Sequence, residues 1–275
     1  MRFALSTALR FSRVLAPSAL IVALAGCGLF DKAPADPAER MSAQQLYAEA
    51  RADLDGKRFD TAIKSLARLE ARFPFGVWAQ QAQLDTAYAH YKLGDRVQAL
   101  VSIERFIRLN PSSDLLDYAW YLKGLINFNE DQGILAKLGG QDLSERDPRA
   151  ARESFEAFRV VVTRYPDSRY ADDARARMTY LLNALAGSEV HVARHYFTRG
   201  AYLAAVNRAQ AVVAQYQTSP AVEEALAILV RSYEKLGMET QRQDAERILK
   251  ANFPKSTLLS RPIGSPQRAW WAIWN

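Results

Sequence analysis

Apolar residues recur along this chain at helical spacing and nowhere alternate as a strand would. Phe59, Ala62, Ile63, Leu66 and Leu69 fall on one face of a helix that Pro74 terminates. Gly94 then turns the chain, Ala99, Leu100, Ile103, Phe106 and Ile107 repeat the face, and Pro111 closes it. Alanine and proline stand 12 residues apart in both segments, and the two prolines are 37 apart. A third unit carries Trp120 and Gly124 in its first helix, then Phe155, Phe158, Val161 and Val162, and ends at Pro166. A fourth has Gly200, Tyr202, Ala205, Val206, Ala209 and Val213. A fifth has Leu226, Tyr233 and Gly237, with Pro254 closing, but Arg242 occupies its alanine position and weakens it. The pattern predicts five helix pairs, ten helices, between Ser42 and about Phe253.

The period resembles the tetratricopeptide repeat, two antiparallel helices in about 34 residues, with a small residue where the helices cross most closely. The expected fold is therefore all-α, a helical solenoid forming a single elongated domain. An extra segment from Ile134 to Arg149, with Gly139, Gly140 and Arg146-Asp147-Pro148, stretches the third unit. Such insertions emerge as loops on one face, so this one is either a partner contact or a helix-capping excursion. A solenoid works by presenting a concave surface, which favours binding over catalysis. The sequence has no H-E-x-x-H, no paired cysteines, no G-x-S-x-G and no phosphate loop. His191 and His195, with Glu189 nearby, lack a third ligand of suitable spacing and read as helix-surface histidines. Asp172-Asp173 and Glu223-Glu224 open helices, where they complement the dipole. No catalytic residue, metal or cofactor is expected.

A formal charge of +6 over 275 residues would by itself suggest nucleic acid or an anionic membrane. Its distribution argues otherwise. The first thirty residues hold no acid, and Arg2, Arg10 and Arg13 precede an apolar run from Val14 to Ala25, too short for the roughly 20 residues of a membrane span. That is the form of a secretory signal peptide, residues 1–26, to be cleaved. Leu24-Ala25-Gly26-Cys27 follows, with the only cysteine of the chain. This resembles a bacterial lipobox, which implies a diacylglycerol on the Cys27 thiol and acylation of its new amino group; several acyl chains make such an anchor stable. Gly28, where inner-membrane lipoproteins usually carry aspartate, implies the outer membrane. Residues 27–41 read as a tether. Beyond Lys250 come Lys255, Arg261 and Arg268 with no acid, so the body balances 30 bases against 30 acids, and nucleic acid is not expected. The tail 255–275 carries Trp270, Trp271 and Trp274 and is read as docking on the last repeat or on a partner or lipid.

Several strings in order sharpen the reading: Arg72-Phe73-Pro74-Phe75-Gly76, Gln80-Gln81, Arg105-Phe106-Ile107-Arg108-Leu109-Asn110-Pro111, Arg146-Asp147-Pro148 and Ala205-Val206-Asn207-Arg208. From about Ser42 to Pro254 they resemble the ComL/YfiO family, lipoproteins of the outer-membrane β-barrel assembly machinery. The resemblance implies a non-enzymatic scaffold on the periplasmic face of the outer membrane. Its amino-terminal repeats (42–130) would receive unfolded outer-membrane proteins, and its carboxy-terminal repeats (131–254) would dock the POTRA domains of the barrel subunit BamA, with BamC along the surface. On the peptide side the candidates are Arg72, Phe75, Gly76, Gln80, Tyr88, Tyr91 and Tyr121, the aromatic faces suiting an extended apolar segment. On the BamA side they are Tyr196, Arg199 and Arg208, arginine pairing bidentately with a carboxylate. Ordinary packing for the tyrosines and a solvated helix face for Arg208 stay open. So does another function, a periplasmic adaptor of the same repeat class tethering a peptidoglycan-processing enzyme.

Overall fold

The computed structural model describes residues 40–128 and 148–263. Cys27, most of the tether, the insertion up to residue 147 and the tryptophans of the tail lie outside the described residues. Within them ten α-helices follow one another: α1 (Ala43–Asp55), α2 (Phe59–Arg72), α3 (Val77–Lys92), α4 (Arg96–Leu109), α5 (Leu116–Asn127), α6 (Pro148–Arg164), α7 (Ala171–Thr198), α8 (Tyr202–Gln215), α9 (Ala221–Leu236) and α10 (Glu239–Asn252). A short 3-10 turn, Leu258–Ser260, follows. Consecutive helices pack against each other as five antiparallel pairs, the tetratricopeptide-like solenoid expected from the repeat.

The pairs are held where the second helix brings a small side chain to the first. Ala62, Ala99 and Ala205 are fully buried, each three residues into its helix. In the third pair Ser154, 12 residues before Pro166, takes that position. It is fully buried too, and its hydroxyl donates to the Gly124 carbonyl at 2.9 Å. The core is accordingly a row of clusters rather than one mass. Leu46, Ala50, Leu66 and Leu69 form the first, Leu84, Ile103, Phe106 and Leu122 the next, Phe158 and Val161 a third, and Val206, Leu226 and Ile228 belong to the last.

Two kinds of turn repeat with the helices. Inside a pair the chain reverses through a left-handed residue, Gly94, Gly200 or Gly237, with φ between 70° and 77°. The first pair has Lys57 there, at φ 57°. After each pair but the first, a serine two residues beyond the proline position bonds back and then forward. Ser113, Ser168, Ser219 and Ser256 donate their amides to the carbonyls of Asn110, Tyr165, Tyr216 and Phe253 at 2.9–3.2 Å. Each hydroxyl accepts the amide two residues on, at 3.2–3.4 Å. Only the first linker departs from this, with Gly76 in the serine position at φ 94°, ψ −176°.

The fifth pair forms fully, contrary to the weakness inferred from Arg242. That side chain is partly buried and lies along its own helix, bonded to Glu239 and Glu246 at 2.7–2.8 Å, with Ala245 and Leu249 buried beside it. Among the described residues no further helix pair packs on α10, whose outward side chains are largely charged. The 28-residue length of α7 was not anticipated. Nothing between Ala171 and Thr198 stops it, since no proline occurs there and Gly187 alone is tolerated inside a helix.

Two substitutions test these contacts. A β-carbon on Gly124 would lie 2.5–2.8 Å from ring atoms of Phe158, itself fully buried. Gly124→Ala therefore lowers stability by about 1–3 kcal/mol through overpacking, and an unchanged urea midpoint would contradict that crossing. Lys57→Gly relieves the left-handed strain and raises stability by about 1 kcal/mol, read in the same titration.

Candidate functional site

The first helices of successive pairs lie side by side and leave a groove of about 550 Å³ between them. Arg51 and Asp55 enter it from α1, Gln81, Asp85 and Tyr88 from α3, Asp117 and Tyr118 from α5, and Arg169 and Tyr170 from the turn before α7. The spacing of Gln81, Asp85 and Tyr88 puts all three on one stripe of α3. The aromatic rings form a continuous wall: Tyr118 meets Tyr170 at 5.4 Å between centroids, and Tyr170 stacks on Tyr121 at 4.7 Å. Tyr88 meets Phe59 edge-on at 6.4 Å.

Asp85 is the electrostatic centre of the groove, with only 4% of its surface exposed. Tyr47 donates its hydroxyl to one carboxylate oxygen at 2.7 Å and Gln81 donates to the other at 3.4 Å. Burial pushes the Asp85 carboxyl above the usual carboxylate range; the Tyr47 bond, the nearby Arg51 charge and Gln81 offset only part of this. Burial, reinforced by the same carboxylate, moves the Tyr47 and Tyr118 hydroxyls well above the ordinary phenol value, so both remain donors. At the edge of the wall burial and a 2.7 Å bond to Asp173 push Tyr121 up to about 12. Asp173 itself is held below the usual range: burial works the other way, but the bonds from Arg177 and Tyr121 outweigh it.

A second groove, about 600 Å³, opens among α6, α7 and α8. Tyr196 and Arg208 line it together with Arg152 and Glu189. The Glu189 carboxylate receives Arg208 at 3.0 Å and Arg152 at 3.5 Å. Two guanidinium groups thus share one acid, which leaves a net positive charge and unspent N–H donors facing solvent. Glu189 is committed to this pair, while His191 and His195 remain on α7. Among the described residues no three His, Cys, Asp or Glu side chains gather as a metal site would require. None of the described helices is long and apolar enough to cross a membrane.

The residues singled out from the sequence are therefore distributed unevenly. Tyr88 lines the first groove, and Tyr121 backs its aromatic wall. Gln80 faces the next turn, accepting from the Ser113 hydroxyl at 2.8 Å, and Tyr91 packs against the Leu84–Phe106 cluster. Arg72, Phe75 and Gly76 sit at the α2–α3 turn and do not line the groove; Arg72 donates to the Met41 carbonyl at 3.2 Å. Tyr196 and Arg208 share the second groove, whereas Arg199 caps the carboxy-terminal end of α7 outside it. Asp85, Tyr47, Tyr118 and Arg51 were missed. The available signal was an acid inside an otherwise alanine-rich helix, with Gln81 one turn before it and Tyr88 one turn after.

Paired helices stacked in register, with two grooves between them and aromatic and charged side chains in their walls, define a helical repeat protein of the tetratricopeptide class. The profile of the YfiO family, described as outer membrane lipoprotein, matches residues 39–248. A curated relative from Neisseria meningitidis serogroup B, an outer membrane protein assembly factor BamD, is 47% identical over 266 residues, covering 96% of this chain and 99% of its own. Assembly factors BamD from Neisseria gonorrhoeae and Vibrio cholerae are 46% and 36% identical, over 96% and 76% of this chain and 99% and 86% of their own. The chain belongs to the YfiO family.

The buried carboxyl of Asp85 gives a pH-dependent prediction. Its pKa is raised in the folded state, so ionisation costs stability above that value and the cost disappears as the pH falls through it. Asp85→Asn keeps an acceptor for Tyr47 and removes the charge. The variant should unfold at higher denaturant than the parent near pH 7.5, with the gap closing toward about pH 4, where an unfolded aspartate also takes up its proton. A lower midpoint at neutral pH would show that the charge itself holds the groove together.

Proposed function

We propose that this chain is the assembly-factor lipoprotein of an outer-membrane β-barrel assembly machinery. In this reading acyl chains on Cys27 hold it to the periplasmic face of the outer membrane. Unfolded outer-membrane proteins enter the groove along the first helices, and the POTRA region of BamA docks at the groove around Arg208, with BamC along the surface. The observation that carries the reading is the first groove. Its tyrosine rings offer flat apolar faces to alternate side chains of an extended segment, and hydroxyl, carboxylate and guanidinium groups stand beside them for its unpaired backbone. Tyr88 and the Tyr118–Tyr170–Tyr121 wall are the peptide contacts in this arrangement. At the second groove the doubly paired Glu189 leaves Arg208 able to take a carboxylate from a partner domain without stranding a buried charge.

Two variants separate the two surfaces. Arg208→Glu places a second acid beside Glu189; it should weaken binding to a BamA POTRA fragment by about tenfold or more while leaving helicity and the binding of an unfolded outer-membrane protein segment unchanged. Tyr88→Ala should do the reverse. Isothermal titration of both ligands against both variants reads this directly, and unaltered dissociation constants would remove the assignment of both grooves.

A further inference from the structure

The turn between α2 and α3 carries an apolar tip that the fold does not require. In the four serine-containing linkers the residue before the serine is polar: Ser112, Asp167, Thr218 and Lys255. The corresponding position in the first linker is Phe75, 90% exposed, and Val77, two residues on, is 73% exposed. Gly76 between them is the left-handed residue that lets the turn form without the serine bonds, and no atom would crowd a β-carbon there. The adjoining linker meets the first two turns of α3, which begins at Val77, through the bonds of Ser113 to Gln80, 2.8 Å, and of Asn110 to Gln83, 3.1 Å. It adds Leu109, 56% exposed. An apolar edge of three large side chains thus runs across two neighbouring turns.

Its surroundings suit an anionic surface. Arg72 lies in the last turn of α2 and Arg108 in the last turn of α4, both exposed, and residues 71–84 include no acid. The edge is also where the chain from Cys27 arrives. Met41 accepts the Arg72 bond and packs in the same cluster as Phe73 and Trp78, the residues on either side of the tip. Met41 lies fourteen positions beyond Cys27, a span of at most about 50 Å.

We propose that Phe75, Val77 and Leu109 dip into the interface of a phospholipid bilayer while Arg72 and Arg108 meet its anionic headgroups. The chain would then have a second, reversible attachment beside its lipid. This rests on the lipid anchor of the preceding section for its geometry. The acyl chains hold the protein at the membrane but leave its orientation free, and aromatic and aliphatic side chains with flanking cations are a usual form of interfacial contact.

The test uses the mature lipidated chain in vesicles of phosphatidylcholine with phosphatidylglycerol. Val77→Cys provides a free thiol for an environment-sensitive fluorophore, because acylation occupies Cys27. A blue-shifted label quenched by nitroxide lipids and shielded from aqueous iodide is the expected result. A label open to iodide while the chain remains in the vesicles overturns the inference and leaves the anchor intact. Loss of the parent chain from the vesicles points instead to failure of the anchor. Shielding that arises only when a POTRA fragment is added also overturns it, in favour of a protein partner. In the unacylated Cys27→Ser chain, Phe75→Ser with Val77→Ser should reduce flotation with these vesicles about tenfold, since both side chains are exposed and their loss spares the core. Equal flotation of variant and parent would overturn the inference.

Discussion

The close crossing of each helix pair is the constraint from which the rest of this structure follows. Where Ala62, Ala99, Ser154 and Ala205 meet their partner helices there is no room for a larger side chain, and each is fully buried. Helices that approach this closely interlock in one register, so each pair presents the next with the same surface. The third crossing shows the constraint from both sides. Ser154 saturates the Gly124 carbonyl, and Phe158 lies over the bare α-carbon of Gly124. Residues far apart along the chain are thereby brought to fixed positions on a shared face.

That register determines which side chains can form a site. The first helices of the pairs lie together, so Tyr47, Tyr88, Tyr118 and Tyr170 come from four different units and still share one region. A buried carboxylate in such a place is costly, and Asp85 retains it because Tyr47 and Gln81 arrive on adjacent turns with donors. Around the second groove, where α7 meets the second helices α6 and α8, the charges pair differently. Glu189 serves two arginines instead of one. The two grooves therefore differ in character, one an aromatic trough around an acid and the other a shallow cationic basin.

The alanine-to-proline spacing was enough to expose the pairs, because a crossing that tolerates only small residues leaves a mark in the sequence. Arg242 misled the reading of the last pair because a long side chain can be drawn along its own helix by Glu239 and Glu246, which spacing alone does not reveal. Asp85 could not be read as central from the sequence. A lone acid on a helix is usually solvated, and its burial depends on α1 and α5, which no local pattern places beside α3. Of the aromatic residues singled out for peptide contact, Tyr88 lines the first groove and Tyr121 stacks behind it, whereas Phe75 is exposed on a turn and is not among the lining residues. Motif strings preserve chain order and lose direction.

The two ends of the solenoid are finished differently. At the carboxy-terminal end Leu258, Leu259 and Ile263 pack against the last cluster, and Arg231 on α9 donates to the carbonyls of Leu259 and Arg261. The chain itself thus covers the apolar face that a sixth unit would have taken, and the charged outer side of α10 completes the seal. At the amino-terminal edge the cap of α1 is polar and closed, with Ser42 and Gln45 exchanging bonds at 3.3 and 2.8 Å. One turn away Phe75 and Val77 are left bare. A chain that caps its helix termini and covers its last core with its own exit segment has the means to hide two apolar residues on a surface turn. That the four corresponding linkers use polar residues, and only this one beside the arriving tether does not, argues that the tip answers to something outside the chain and not to the fold.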